Sequence, residues 1–230
     1  MMISERLQEA LRFWWRHLPA IALVVIPFSL LNSATVLAFG PPLTMAEGQT
    51  TDINGVTLGL IFVLRTIAEA ALIAQLAAIA GGQARGLGDC ALLALRVAPA
   101  MLLCNLIVVS AVSAAFMLLI LPAVWLYIRL SLATFSVVLE NVSAGAALRL
   151  SVMRTQAQQW QLLGAWLLLA AAVLFASLIM TALLQSVAGN HAGIGVVMEM
   201  ITTLGVALLQ VLLFRYYGLA RDRERQNTDL

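Results

Sequence analysis

Four ionisable side chains, Arg65, Glu69, Arg129 and Glu199, sit in stretches of sequence otherwise suited to hydrocarbon. A charge at the centre of a membrane helix costs about 2.5–3.5 kcal/mol on insertion scales, so each needs a partner, a path to water or a task. Arg65 and Glu69 stand at i and i+4, the spacing that brings two side chains together on one helix face. Counted from the nearer end of its apolar run, Arg129 lies about 10 Å deep, Glu199 about 7–8 Å and Arg65 about 13 Å, at 1.5 Å of rise per residue. The spacing predicts one intramembrane polar cluster in which Arg65–Glu69 and Arg129–Glu199 neutralise each other. Locking helices together or snorkelling to water are the plainer roles for such charges. Lining a ligand or transport path is the sharper one.

Catalytic chemistry finds little to stand on. The sequence has no HExxH, CxxC, Walker loop, GxSxG or paired aspartates. His17 and His191 fall on opposite sides of the expected bundle and cannot share a metal. Cys90 and Cys104 are unclustered, giving neither a disulfide framework nor a metal quartet. GNHAGIG contains a GxG but no strand before it, and reads as a loop. The expectation is a protein with no catalytic residues, no metal site and no cofactor.

The elements that must position the four charges follow from composition. The 230-residue chain is 62% hydrophobic and 10% charged, against about 25% charged for soluble domains. It reads as one integral membrane domain over 1–230. The run 97–139 holds one charge, Arg129, and at helical rise reaches about 65 Å, twice the ~30 Å of a bilayer core. Two crossings joined at Pro122 account for it, since proline suits the first turn of a helix. The spans are expected at 18–38, 56–80, 99–121, 123–139, 162–185 and 194–219. Between them, 39–55 is a loop rich in glycine and proline, and 81–96 is a short polar loop with Arg85, Asp89 and Arg96. Residues 1–17 form an amphipathic helix, with Leu7, Leu11, Trp14, Trp15 and Leu18 opposite Arg6, Glu9, Arg12 and Arg16. The fold class is all-α: a membrane bundle of six transmembrane helices, an amphipathic N-terminal helix, and a cytoplasmic interfacial helix after the fourth span.

Loop arginines set the orientation. They occur in the N-terminal segment, in 81–96, in 140–161 and at the C-terminal end, and in none of the alternate loops. The positive-inside rule then predicts both termini in the cytoplasm. Glu140 and Asn141 are expected to cap the next helix, with a Glu140 pair to Arg149 or Arg154 as the other reading. In that interfacial helix, Arg149, Arg154 and Trp160 are expected to contact lipid headgroups, each arginine contributing about 1 kcal/mol near an anionic surface. Membrane lipids are the expected partners. Protein partners or a homo-oligomer stay open, and nucleic acid is not expected.

The hairpin FMLLILPAVWLYIRLSLATFSVVLEN, the segment ALRLSVMRTQAQQW and the end ALLQVLLFRYYGLAR together resemble the YciC-like family of bacterial inner-membrane proteins. More distantly, the proline turn, apolar span, acidic residue and Ser/Arg segment are similar to the membrane domain of some glycerophosphodiester phosphodiesterases. Family members commonly carry glycine after the turn proline, where this chain has Ala123. The resemblance implies a six-helix protein of the bacterial inner membrane and supplies no reaction. The expected function is therefore non-enzymatic, in envelope or lipid homeostasis. The alternative is a small transporter or channel using the Arg/Glu cluster.

Overall fold

The computed structural model describes residues 3–44, 52–156, 158–188 and 192–228. Glu47 and His191 lie outside the described residues. The first helix, α1 (Ile3–Arg16), lays Leu7, Ala10, Leu11, Phe13 and Trp14 on the core and leaves Glu9, Arg12 and Arg16 exposed. Trp15, expected on the apolar side, is 65% exposed. Two cation–π contacts tie α1 to the last helix: Arg6 over the Tyr216 ring and Arg215 over the Phe13 ring.

After a turn at His17 the chain enters α2 (Leu18–Phe39), with Pro27 inside it. The following loop holds a minimal antiparallel ladder, β1 (Leu43–Thr44) with β2 (Asp52–Ile53), pairing Leu43 with Ile53 and Thr44 with Asp52. Asn54 then caps α3 (Gly55–Ala80): its side-chain oxygen accepts from the Thr57 N–H, while Nδ2 donates to the Phe39 carbonyl at 2.7 Å. One asparagine thus starts α3 and satisfies the end of α2.

The axis of the bundle is α3. Every residue from 70 to 76 is buried, more than a full turn with no exposed face, as expected for a helix surrounded by others. It packs against α2, against α4 (Leu87–Leu118), and against the later helices Ala133–Glu140 and Ala192–Thr228. Gln75 acts as a suture: Nε2 donates to the Ala20 carbonyl, and Oε1 accepts from the Arg85 N–H and the Cys90 thiol. Helix α4 begins at Leu87, so Asp89 and Arg96 belong to the helix and not to the loop expected over 81–96. Asp89 in the first turn favours this early start through the helix dipole, and Pro99 is carried inside the helix.

The fourth crossing is two helices, α5 (Ile120–Leu130) and α6 (Ala133–Glu140), where an uninterrupted span was expected. The turn into it is made by the extended Leu119, and Pro122 sits in the first turn of α5, where its missing N–H costs nothing. The break is repaired from outside. The Ser151 hydroxyl of α7 (Ala144–Gln156) donates to the Arg129 carbonyl at 2.7 Å and accepts from the Leu132 N–H at 3.2 Å. Ala144, Ala147, Ser151, Arg154 and Thr155 form the buried face of α7, at helical spacing. Asn141 ends α6 in the left-handed region (φ 53°) and does not cap α7, a conformation asparagine tolerates.

The last two helices are α8 (Gln159–Ala188) and α9 (Ala192–Thr228). Only 6% of the α8 span is buried, and Leu174, Phe175, Leu178 and Ile179 face outward, as lipid-solvated positions do. A Cβ on Gly205 would come within 2.7 Å of Val173, so glycine permits the close approach of α9 to α8. Six helical segments are long and apolar enough to cross a membrane, counting α5 and α6 together. The chain is a multi-pass membrane protein, and six crossings bring α1 and the end of α9 to one end of the bundle, the terminal face.

The break in the fourth crossing gives a stability test. Ser151→Ala removes the partner of the Leu132 N–H and the closest partner of the Arg129 carbonyl. It is expected to destabilise the protein by about 1–3 kcal/mol, the cost of a buried polar group left unpaired. Ser177→Ala is the control, because that hydroxyl bonds only to carbonyls of its own helix. Thermal unfolding in detergent should show a drop in Tm for Ser151→Ala alone.

Candidate functional site

Three of the four predicted intramembrane charges line one cavity of about 300 Å³ between α2, α3 and α9. Helix periodicity puts Leu64, Arg65, Ala68, Glu69 and Leu72 on one face of α3, and Glu199, Thr202, Thr203, Val206 and Gln210 on the facing side of α9. Phe28, Ser29 and Asn32 of α2 close the third wall.

Pairing within the cavity differs from the sequence expectation. Arg65 Nη2 lies 3.6 Å from Glu199 Oε1, and the same oxygen accepts from Asn32 Nδ2 at 2.9 Å. Glu69, one turn along from Arg65, is held by amides instead: Gln210 Nε2 donates to Oε1 at 3.2 Å and Asn105 Nδ2 to Oε2 at 3.0 Å. Spacing at i and i+4 permits a pair without compelling it. The Arg65 side chain is 68% exposed, and a long arginine takes its head toward the wetter carboxylate.

Arg129 does not join this site. Its guanidinium stacks 4.8 Å from the centroid of the Trp125 ring, on the same helix. The reason is topological: α5 packs on α4, α7 and α8, whereas Glu199 faces the α2 and α3 side of α9. The residues that hold the two acids, Asn32 and Gln210 on the cavity wall and Asn105 behind Glu69, are uncharged amides. Their signal in the sequence was their position inside apolar runs, which a search for charges passes over.

A second polar centre lies toward the terminal face. Arg154, with 5% of its side chain exposed, forms a two-pronged pair with Glu224 at 2.9 Å for both prongs. Its Nη1 meets Glu140 at 2.9 Å and donates to Ser136 Oγ at 2.9 Å. The guanidinium also lies over the ring of Tyr217, whose hydroxyl donates to Glu140 at 2.6 Å. Burial works against the charge on Arg154, but the hydrogen bonds to Glu224 and Glu140 outweigh it and its pKa is raised. Arg154 is therefore not the lipid-facing residue expected from the sequence, because it lies on the buried face of α7. Arg149 and Trp160 are exposed, Trp160 at 69%.

These two centres differ in kind. Every nitrogen of the Arg154 guanidinium has a carboxylate or hydroxyl partner. In the cavity, Asn32 Oδ1 and Gln210 Oε1 are buried without a partner. No family model matches the chain, and no curated protein or solved structure is significantly similar to it. Among the described residues, no three His, Cys, Asp or Glu side chains are grouped so as to hold a metal ion. What the cavity offers chemically is recognition: two carboxylates, one guanidinium and two amide side chains set in apolar walls.

The closed centre predicts a strong asymmetry between the two arginines of α7. Arg154→Leu leaves Glu140 without its counter-charge and is expected to cost about 3–5 kcal/mol, as removing one partner of a buried ion pair does. Arg149→Leu should change stability by no more than about 0.5 kcal/mol, as surface substitutions do. Denaturant or thermal unfolding of the two variants in the same detergent compares them directly.

Proposed function

We propose that this chain is a non-enzymatic protein of the bacterial inner membrane, both termini cytoplasmic, whose working part is the α2–α3–α9 cavity. It binds a small polar or charged solute within the membrane and serves as a small transporter. The observation that carries this reading is a cavity of about 300 Å³ between three candidate membrane spans, lined by Arg65, Glu69, Glu199, Asn32 and Gln210. A bundle whose charges served only to lock helices would pair them fully, as the Arg154 centre does. The arginine-bearing loops on the side of the termini support the orientation. The likeness of the hairpin and the C-terminal end to the YciC-like proteins supports the inner-membrane placement.

A second reading, in envelope or lipid homeostasis, is favoured by one specific feature. Arg149 and Trp160 are exposed near the terminal face, where a cation and an indole suit the headgroup layer.

Water access separates the two. In a background with Cys90→Ala and Cys104→Ala, single cysteines at Ala68→Cys and Thr202→Cys are expected to react with a membrane-impermeant maleimide. Leu178→Cys, on the lipid-facing side of α8, is expected to stay unlabelled. Labelling at Thr44→Cys in the loop with none at 68 or 202 would mean that water does not reach the cavity. The transport reading would then give way to the lipid one.

A further inference from the structure

The cavity between α2, α3 and α9 opens to the side of the bundle. Helices α3 and α9 each pack more extensively on α2 than on one another, which makes α2 the back wall and leaves the mouth between α3 and α9. Exposure agrees: Arg65, Thr202 and Val206 are exposed, whereas Ser29, Asn32, Leu72 and Ala207 are buried. All three helices are candidate membrane spans, so a mouth between two of them faces lipid and not the aqueous end of the bundle. Arg65 stands ten residues, about 15 Å, beyond the start of α3 at Gly55. Helical side chains lean toward the N-terminus of their helix, so Arg65 leans toward the end of the bundle opposite the terminal face.

The charges at this mouth are not saturated. Arg65 Nη2 meets Glu199 Oε1 at 3.6 Å, beyond hydrogen-bond range, and among the described residues the guanidinium makes no closer polar contact. A guanidinium carries donors only, and here its side chain is 68% exposed beside hydrocarbon, where those N–H groups call for an anion. Glu199 is also incomplete: Asn32 and Arg65 both engage Oε1, and Oε2 has no hydrogen-bond partner among the described residues. A bare anion fits poorly, because Glu199 stands beside Arg65 and Glu69 lies in the same cavity. A bare cation fits poorly too, since Arg65 opposes it. A group carrying both signs, an anion for Arg65 and a primary ammonium for Glu199, is opposed by neither.

We propose that the mouth between α3 and α9 binds the headgroup of an ethanolamine phospholipid, its phosphate on Arg65 and its ammonium on Glu199. The bilayer is the source, because the mouth opens onto it. Phosphate suits a guanidinium, which offers it paired N–H groups. The short link from phosphate to ammonium suits an arginine and a carboxylate placed side by side. The acyl chains stay in the bilayer, along Leu64 and Val206 of the cavity wall. This deepens the transport reading by naming the class of ligand and rests on the cavity being the working site.

The test uses the full-length protein in maltoside micelles, titrated with dihexanoyl phospholipids that differ only in headgroup: ethanolamine, choline or glycerol. Binding to the folded state raises Tm with ligand concentration. The ethanolamine lipid is expected to bind at least tenfold more tightly than the choline lipid, whose cation has no N–H for Glu199. It is expected to exceed the glycerol lipid, which has no cation, by a similar factor. Glu199→Gln should abolish the preference for ethanolamine over choline, and Arg65→Gln should weaken all three lipids. The headgroup comparison on the unaltered protein needs no variant, so a variant that does not fold leaves the test intact. Equal rises for the three lipids, or no rise, overturn the proposal. Glycerophosphoethanolamine, which has no acyl chains, is the water-soluble arm, and binding as tight as that of the lipid overturns the bilayer as source. Labelled cysteines at 68 and 202 without a headgroup preference would sink the lipid while leaving a water-accessible cavity. A headgroup preference without labelling would instead remove the water-borne solute and keep the lipid.

Discussion

Hydrocarbon accepts no hydrogen bonds, and that one fact shapes this molecule more than any other. Each backbone or side-chain polar group within the bundle must find its partner in the protein. Where a helix is continuous the requirement is met along its own length. Where it is not, a side chain from elsewhere supplies the missing partner. Asn54 closes the end of α2, Ser151 closes the gap between α5 and α6, and Gln75 joins α2, α4 and the loop that precedes α4. None of these residues is charged, and each joins segments distant in sequence. The bundle is held in register by a few neutral polar side chains set among many apolar ones.

Seen this way, the two charged centres are opposite solutions to one problem. The Arg154 centre is closed. Its guanidinium is saturated by Glu140, Glu224 and Ser136, with Tyr217 supporting both Arg154 and Glu140. Nothing further can be added without breaking something. The cavity centre is less complete: Asn32 and Gln210 each give one N–H to an acid, and their oxygens have no partner. A protein can keep an idle buried acceptor at a cost of roughly 1–3 kcal/mol.

Much of the architecture was legible from the chain. Six apolar runs separated by polar segments fixed the number of crossings, because length and hydropathy are what a bilayer measures. The break at Ser131 and Leu132 was not legible, since neither residue differs from its neighbours and the group that makes the break tolerable lies on another helix. The extent of α4 was hidden for the reverse reason: Asp89 and Arg96 look like loop residues until they are placed at the end of a helix longer than the membrane. Within the site, the choice of Arg65, Glu69 and Glu199 could be made from type and depth. Their pairing could not, because which carboxylate an arginine reaches depends on how α2, α3 and α9 are rotated. The burial of Arg154 needed to be seen against the buried face of α7, where small residues already showed which side packs inward.

Helix α9 runs for 37 residues, about 55 Å at helical rise, and contributes to both centres. Glu199 and Gln210 stand on the cavity wall, while Tyr217 and Glu224 lie further along the same rod in the Arg154 centre. With Glu199 held by Arg65 and Glu224 by Arg154, α9 is pinned near each end. The Glu199 pin is a single contact at 3.6 Å to an exposed arginine, and the Glu224 pin is two-pronged at 2.9 Å to a buried one. A rod fastened this unevenly has its pivot at the strong end. Its freedom to swing is therefore greatest at Glu199, where the cavity wall would move most for the least disturbance of the fold.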